Sequence, residues 1–311
     1  MTSDSLHDDY SLLNDLEPIA ARALDDHLRH AEEWYPHAYV PWSEGANFDG
    51  VLAGEEWQAE QSRLNTAARD GLIHNLLSED NLPSYHRVVT ELFGRDGAWG
   101  TWVNRWTAEE GRHGLAIRDY LLVTRSADPV ALEDTRRQHA ERGYDIDYRG
   151  DVLASLIYVT LQELATRVSY RNIRRVCGDY ACEALLQRIA QDENRHMLFY
   201  RSVLTDAVKL RPDQALRACA DVVESFRSPG HGAPGFTALA LSMVRSGIYT
   251  PACHHEEVLM PVMRFLGVFD LCGLRADGEQ ARERLSAALD RSETRARRFS
   301  SLDPSPASAL I

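Results

Sequence analysis

Two stretches decide the fold: residues 99–121, WGTWVNRWTAEEGRHGLAIRDYL, and residues 185–204, LLQRIAQDENRHMLFYRSVL. In the first, Trp99, Trp102, Val103, Trp106, Ile117, Tyr120 and Leu121 recur at helical spacing, and Glu110 and His113 fall inside that apolar stripe. In the second, Leu186, Ile189, Ala190, Met197, Tyr200 and Val203 form the stripe, with Glu193 and His196 inside it. A third stripe, Leu153, Leu156, Ile157, Thr160, Leu164 and Val168, contains Glu163. A buried carboxylate without a partner costs several kcal/mol or takes up a proton. One Glu-x-x-His pair is a common accident of a solvated helix. Two, both on apolar stripes, point to a buried cation.

The spacing sharpens this. Glu163 lies 30 residues before Glu193, and 31 residues before Glu110 stands Glu79, at the end of another helical pattern. About thirty residues make two helical stretches of about 18 Å and a connection, which sets successive glutamates level on an antiparallel pair. The chain therefore reads as two similar halves, Glu79 with Glu110-x-x-His113 and Glu163 with Glu193-x-x-His196. Four inward glutamates and two histidines are the ligand set of a di-metal carboxylate four-helix bundle. Four carboxylates balance two divalent cations. Mixed oxygen and nitrogen donors with vacant positions favour iron or manganese over closed four-coordinate zinc, and iron above all because it can take O₂.

The rest of the sequence is compatible. Helical periodicity dominates and strand alternation is almost absent, so the fold is expected to be all-α. Helices are predicted over 16–34, 55–79, 84–93, 99–125, 129–142, 152–177, 180–210, 236–245, 255–266 and 278–298, with Pro83 interrupting the pattern after Glu79. The 311 residues carry no low-complexity linker, so residues 1–311 are expected to form one domain, with 1–33 as an N-terminal extension and 300–311 as a loosely held tail. The hydrophobic fraction of 44% is that of a globular chain. A formal charge of −13 argues against a nucleic-acid binder, which needs a basic surface. Five cysteines without a CxxC pair suggest neither a disulfide framework nor a zinc knot. The acidic start MTSDSLHDDY is unlike a signal peptide, and no membrane span is apparent, so a cytoplasmic location is expected. His254-His255-Glu256-Glu257 looks metal-like but stands outside the repeat, and reads as a solvated helix start.

The motifs resemble those of the soluble acyl-acyl-carrier-protein desaturases, in the shorter form found in actinobacteria. WTAEEGRHG (106–114) is similar to that family's WTAEENRHG, TLQELAT (160–166) to its QERAT segment, AQDENRH (190–196) to its ADEKRH, and SEDNLPSY (78–85) to its TEEALPTY. GIYTPACHHEEVL (247–259) and GLRADGEQAR (273–282) resemble its C-terminal stretches. The resemblance implies a ferritin-like di-iron bundle with flanking helices. It also implies metal ligands Glu79, Glu110, His113, Glu163, Glu193 and His196. Asp192 corresponds to an acid that orients a ligating histidine, Trp34 to a tryptophan on the electron route, and Thr166 to a hydroxyl beside the oxygen pocket. Glu109 and Asp80, turned about 100° from the ligands, would contact them from outside or lie on the surface. Gly111 stands where the family often has asparagine.

The activity implied is O₂-dependent insertion of a cis double bond into a saturated acyl chain on acyl carrier protein, with two iron ions, a ferredoxin-type donor and a homodimer. A carrier-tethered hydroxylase, a specialised-metabolite desaturase and a non-catalytic carrier-binding paralogue are the alternatives. A short ferroxidase bundle would leave about 130 residues without a purpose, and the tyrosine expected of a radical-generating reductase subunit is Ile117. An acidic carrier calls for a local basic patch; candidates are Arg171 with Arg174 and Arg175, Arg136 with Arg137, and the arginines of 291–298.

Overall fold

The computed structural model describes residues 3–143, 148, 150–228, 231 and 235–302. Among these the secondary structure is helical, apart from one isolated bridge between Phe48 and Glu55. The helices that carry the apolar stripes form a four-helix core: α2 (Thr66–Glu79), α4 (Gly97–Val123), α6 (Val152–Val176) and α7 (Tyr180–Leu210). The all-α expectation holds, and the bundle has the ferritin-like arrangement.

The second half of the repeat is a plain helical hairpin. A three-residue turn joins α6 to α7, and the Asp179 side chain caps α7 by accepting from the Cys182 amide at 2.9 Å. Glu163 lies thirteen residues before the end of α6 and Glu193 thirteen after the start of α7, so the hairpin sets them level. The first half reaches the same result through a broken helix. α2 ends at Glu79 and α3 (Leu82–Phe93) begins after two intervening residues, Asp80 and Asn81. Pro83 has no amide hydrogen, and in a continuous helix its ring would meet the carbonyl of Glu79, which places the break at the ligand.

Flanking helices enclose this core. α1 (Ser3–His30) packs against α4 and α7 through Leu12, Leu16, Ala20 and Leu24, all buried. α5 (Pro129–Arg142) covers the α2–α3 break, α8 (Pro212–Ser225) lies on α6 and α7, and α9 (Phe236–Arg245) on α2. The C-terminal part consists of α10 (Pro251–Cys253), a π-helical turn (His254–Leu259), α11 (Met260–Leu266) and α12 (Ala276–Leu302), which packs on α8.

Some boundaries differ from the sequence reading. Residues 55–65 are irregular, and α2 starts where the Asn65 side chain accepts from the Ala68 amide. α8 has no counterpart in the sequence reading; it starts with Pro212 at its first position, where a missing amide costs nothing. Of the expected loose tail, residues 300–302 belong to α12, and 303–311 lie outside the described residues, as does part of the 228–235 loop. The His254–Glu257 run is not a solvated helix start. His255 is buried, and His254 packs on Phe226 with Nδ1 3.0 Å from the Tyr249 hydroxyl. Burial pushes His254 down to about 4, so it is neutral.

One contact ties α1 to the ligand helix. Gly97 opens α4 with φ of 63°, and a Cβ there would fall 2.2 Å from Oε1 of Glu17. That same oxygen accepts from the Ala98 amide at 2.6 Å, placing a carboxylate on the helix N-terminus. Gly97→Ala is therefore expected to lower stability by more than about 1 kcal/mol, from the left-handed backbone and the displaced cap. A lower urea midpoint at unchanged slope is the expected observation.

Candidate metal centre

All six predicted ligands converge. Glu79, Glu110, His113 and Glu193 place one donor atom each within 4.8 Å of one another, and so do Glu110, Glu163, Glu193 and His196. The two groups share Glu110 and Glu193. Each also has one glutamate and one histidine of its own, Glu79 with His113 and Glu163 with His196. Glu110 spans the pair: its Oε1 lies 2.7 Å from Nδ1 of His196 and its Oε2 3.5 Å from Nδ1 of His113. All six residues are buried.

Each of three carboxylates is held from one side by a single donor. The Tyr170 hydroxyl donates to Oε1 of Glu79. The Trp106 indole donates to Oε1 of Glu163 at 3.0 Å, and the Thr166 hydroxyl to Oε2 of Glu193 at 2.6 Å. Their other oxygens face the centre. Oε1 of Glu110 and of Glu193 and Nδ1 of both histidines are buried without a well-aligned hydrogen bond and face one another, Glu110 and His196 at 2.7 Å and Glu193 and His113 at 3.3 Å. Buried donors and acceptors turned on each other in this way need a partner at the centre. Oxygen and imidazole donors, two shared carboxylates and a charge of −4 fit two divalent cations.

The protonation pattern carries the same message. Burial and the neighbouring carboxylates push Glu79 and Glu163 well above the usual carboxylate range. Burial would raise Glu110 as well, but His113 and His196 outweigh it and hold it well below that range. Burial works against the charged form of both histidines, yet the surrounding carboxylates raise them well above their ordinary value. Without a cation, protons neutralise the cluster; a cation would displace them.

The residues adjacent to the ligands are also buried. Asp192 accepts from the Trp34 indole at 2.6 Å, lies 3.4 Å from Nε2 of His113 and is bound by Arg188. The Trp34 ring stacks near His113 with centroids 6.2 Å apart. Glu109 lies beneath α1 with Oε2 2.8 Å from Nε2 of His196 and 3.0 Å from Nε2 of His27, so it contacts a ligand from outside. Asp80 turns outward to a bidentate pair with Arg136, both contacts at 2.7 Å.

Tyr170 and His27 were not legible as site residues; a tyrosine and a histidine on helices carry no pattern of their own. The arginines do. Arg105-x₃-Glu109-Glu110-x-Arg112-His113 and Arg188-x₃-Asp192-Glu193-x-Arg195-His196 match position for position. A repeat search anchored on more than the glutamates and histidines would have found them.

The geometry predicts how metal binding should fail. Removing a shared carboxylate, as in Glu110→Ala or Glu193→Ala, is expected to abolish binding of both ions. Glu79→Ala and Glu163→Ala should each lose mainly one. Metal analysis after dialysis against ferrous iron checks this. Loading should release protons and strengthen as pH rises through the raised values of Glu79 and Glu163, because the protonated carboxyls compete with the cation.

The profile of the family described as fatty acid desaturase matches residues 8–307. DesA1 of Mycobacterium tuberculosis H37Rv, which carries the name acyl-[acyl-carrier-protein] desaturase, is 42% identical over 288 residues, 90% of this chain and 85% of that protein. The chloroplastic palmitoyl-[acyl-carrier-protein] 4-desaturase 3 of Ophrys sphegodes is 29% identical over 298 residues, 90% of this chain and 74% of its own. The solved structure of DesA2 from M. tuberculosis H37Rv superposes with a TM-score of 0.71 at 26% identity, covering 87% of this chain and 99% of that one.

Proposed function

The chain belongs to the fatty acid desaturase family, and from that premise we propose that it is an acyl-[acyl-carrier-protein] desaturase, an O₂-dependent oxidoreductase that inserts a cis double bond into a saturated acyl chain. The observation that carries this reading is a narrow apolar cavity beside the six converging ligands. Tyr85, Val89, Trp106, Tyr158 and Val159 line it together with Glu110, Glu163 and Glu193. It adjoins a second cavity through Ser78, Gln162 and Thr166, which continues past Phe236, Ala240 and Met243. An alkyl chain entering through both would pass the carboxylates of Glu110, Glu163 and Glu193. In this reading the whole chain is one catalytic domain, and Glu79, Glu110, His113, Glu163, Glu193 and His196 hold two iron ions.

With iron bound, the centre would supply the reduction of O₂ to two waters, with two hydrogen atoms (two electrons and two protons) taken from adjacent methylenes, two electrons from an external donor and two protons from solvent. The protein supplies position and proton control. The cavity walls fix which methylene pair lies beside the ligands, and orientation of this kind replaces a large entropic cost. Thr166 lines both cavities and donates to Oε2 of Glu193, so its hydroxyl is the group at the boundary able to hand a proton toward the centre. The Trp34 indole donates to Asp192, which faces His113, and we assign this pair the electron route from a ferredoxin-type protein. Among the described residues no helix is long and apolar enough to cross a membrane. A cytoplasmic homodimer is the setting in which we place the enzyme.

For the carrier, the arginines of 291–298 are favoured over the other patches. Arg136 is held by Asp80 and Glu133, and Arg137 by Asp134 and Glu141. Arg291 is paired too, with Glu224 at 3.1 Å, but together with Arg295 and His254 it lines a cleft that meets the proposed substrate cavity at Ser228 and Tyr249.

A single-turnover assay with iron-loaded protein, a reductant, O₂ and acyl carriers of graded length should yield mono-unsaturated product from a narrow range of lengths. No product from any of them would refute the assignment. Charge reversal in Arg291→Glu/Arg295→Glu should raise KM for the acyl carrier several-fold with iron content intact. The same change in Arg171→Glu/Arg174→Glu should leave KM nearly unmoved.

A further inference from the structure

Residues 27–34 touch both halves of the metal centre from outside, and they do so symmetrically. Glu33 pairs with Arg105 at 2.7 Å and with Arg112 at 3.2 Å, the arginines of the first repeat. Glu32 pairs with Arg188 at 2.8 Å and lies 3.9 Å from Arg195, their counterparts in the second. The two outer carboxylates follow the same rule. Asp192 faces Nε2 of His113 and receives the Trp34 indole. Glu109 faces Nε2 of His196, and the position matching the indole is taken by Nε2 of His27. His27 is 5% exposed, and its ring meets Trp102 edge-on with centroids 5.0 Å apart.

We propose that His27 is a positioning residue of the metal centre, fixing the orientation and tautomer of His196 through Glu109 as Trp34 fixes His113 through Asp192. The inference rests on the reading that the six converging residues hold two metal ions. For Nδ1 of His196 to offer its lone pair, the ring proton must sit on Nε2, facing Oε2 of Glu109. That oxygen stays in place because two donors converge on it, His196 and His27. The other oxygen, Oε1, is held by Arg105 at 2.6 Å. Without the His27 donor, Arg105 and Arg112 can draw the carboxylate outward, since Arg112 already lies 3.8 Å from Oε1. It follows that α1, set apart by the sequence reading as an extension, is part of the metal-binding apparatus.

Two substitutions separate donation from packing. His27→Phe keeps a ring against Trp102 and removes the donor; His27→Gln keeps a donor and removes the ring. Apo-protein is titrated anaerobically with ferrous iron, with bound metal measured by equilibrium dialysis and the fold checked by thermal melting of the apo forms. His27→Phe is expected to weaken one of two iron equivalents by about 10- to 100-fold and leave the other close to wild type. His27→Gln should stay within a few-fold of wild type for both. The proposal is overturned if His27→Phe titrates like wild type, if His27→Gln is the more impaired, or if both equivalents weaken together. Wild-type protein that takes up fewer than two equivalents would overturn the underlying reading of the centre, an outcome visible before any variant is compared.

Discussion

Four carboxylates crowded into one dry core repel one another, and the rest of the structure depends on how that repulsion is resolved. Taken singly, each would be costly to bury; together, with no counter-charge, they would shed their charge by protonation. The raised carboxyls of Glu79 and Glu163 show this tendency, while Glu110, flanked by both histidines, is held low instead. Two divalent cations would convert the same arrangement from a liability into a source of cohesion, because the converging donors come from several helices at once.

What surrounds the ligands follows from the need to keep their free atoms aimed inward. One neutral donor on each of Glu79, Glu163 and Glu193 fixes one oxygen and leaves the other for the ion. Each histidine has a carboxylate behind it, and each carboxylate is neutralised in turn by arginines from its own helix. This layering of opposite charges lets ionised groups sit close to a buried centre. Glu32 and Glu33 close it at the surface, one for each half. The apolar cavity beside the centre is lined by Thr166 and Trp106, which hydrogen-bond Glu193 and Glu163.

The convergence of the six residues was readable in the sequence because two constraints coincided. Helical periodicity told which face of each helix is buried, and glutamates at i with histidines at i+3 on that face have no ordinary structural reason to be there. The level pairing of Glu163 with Glu193 followed from hairpin length alone. Glu109 shows where such reading ends. It is adjacent to Glu110 and lies on a different face of α4, and whether that face is covered depends on α1 crossing it, a tertiary fact with no local signal. The same holds for His27 and Tyr170, whose partners are 82 and 91 residues away. The break at Asp80–Asn81 could be anticipated from Pro83, but the irregular path of residues 55–65 could not, since its composition is compatible with a helix.

The central claim is that one site holds two ions bridged by shared carboxylates. Mössbauer spectroscopy of protein loaded with ⁵⁷Fe and oxidised tests it most directly. The account predicts two irons per chain in a diamagnetic ground state, the signature of a coupled pair. Paramagnetic spectra from isolated ferric ions, or a single iron per chain, would contradict it.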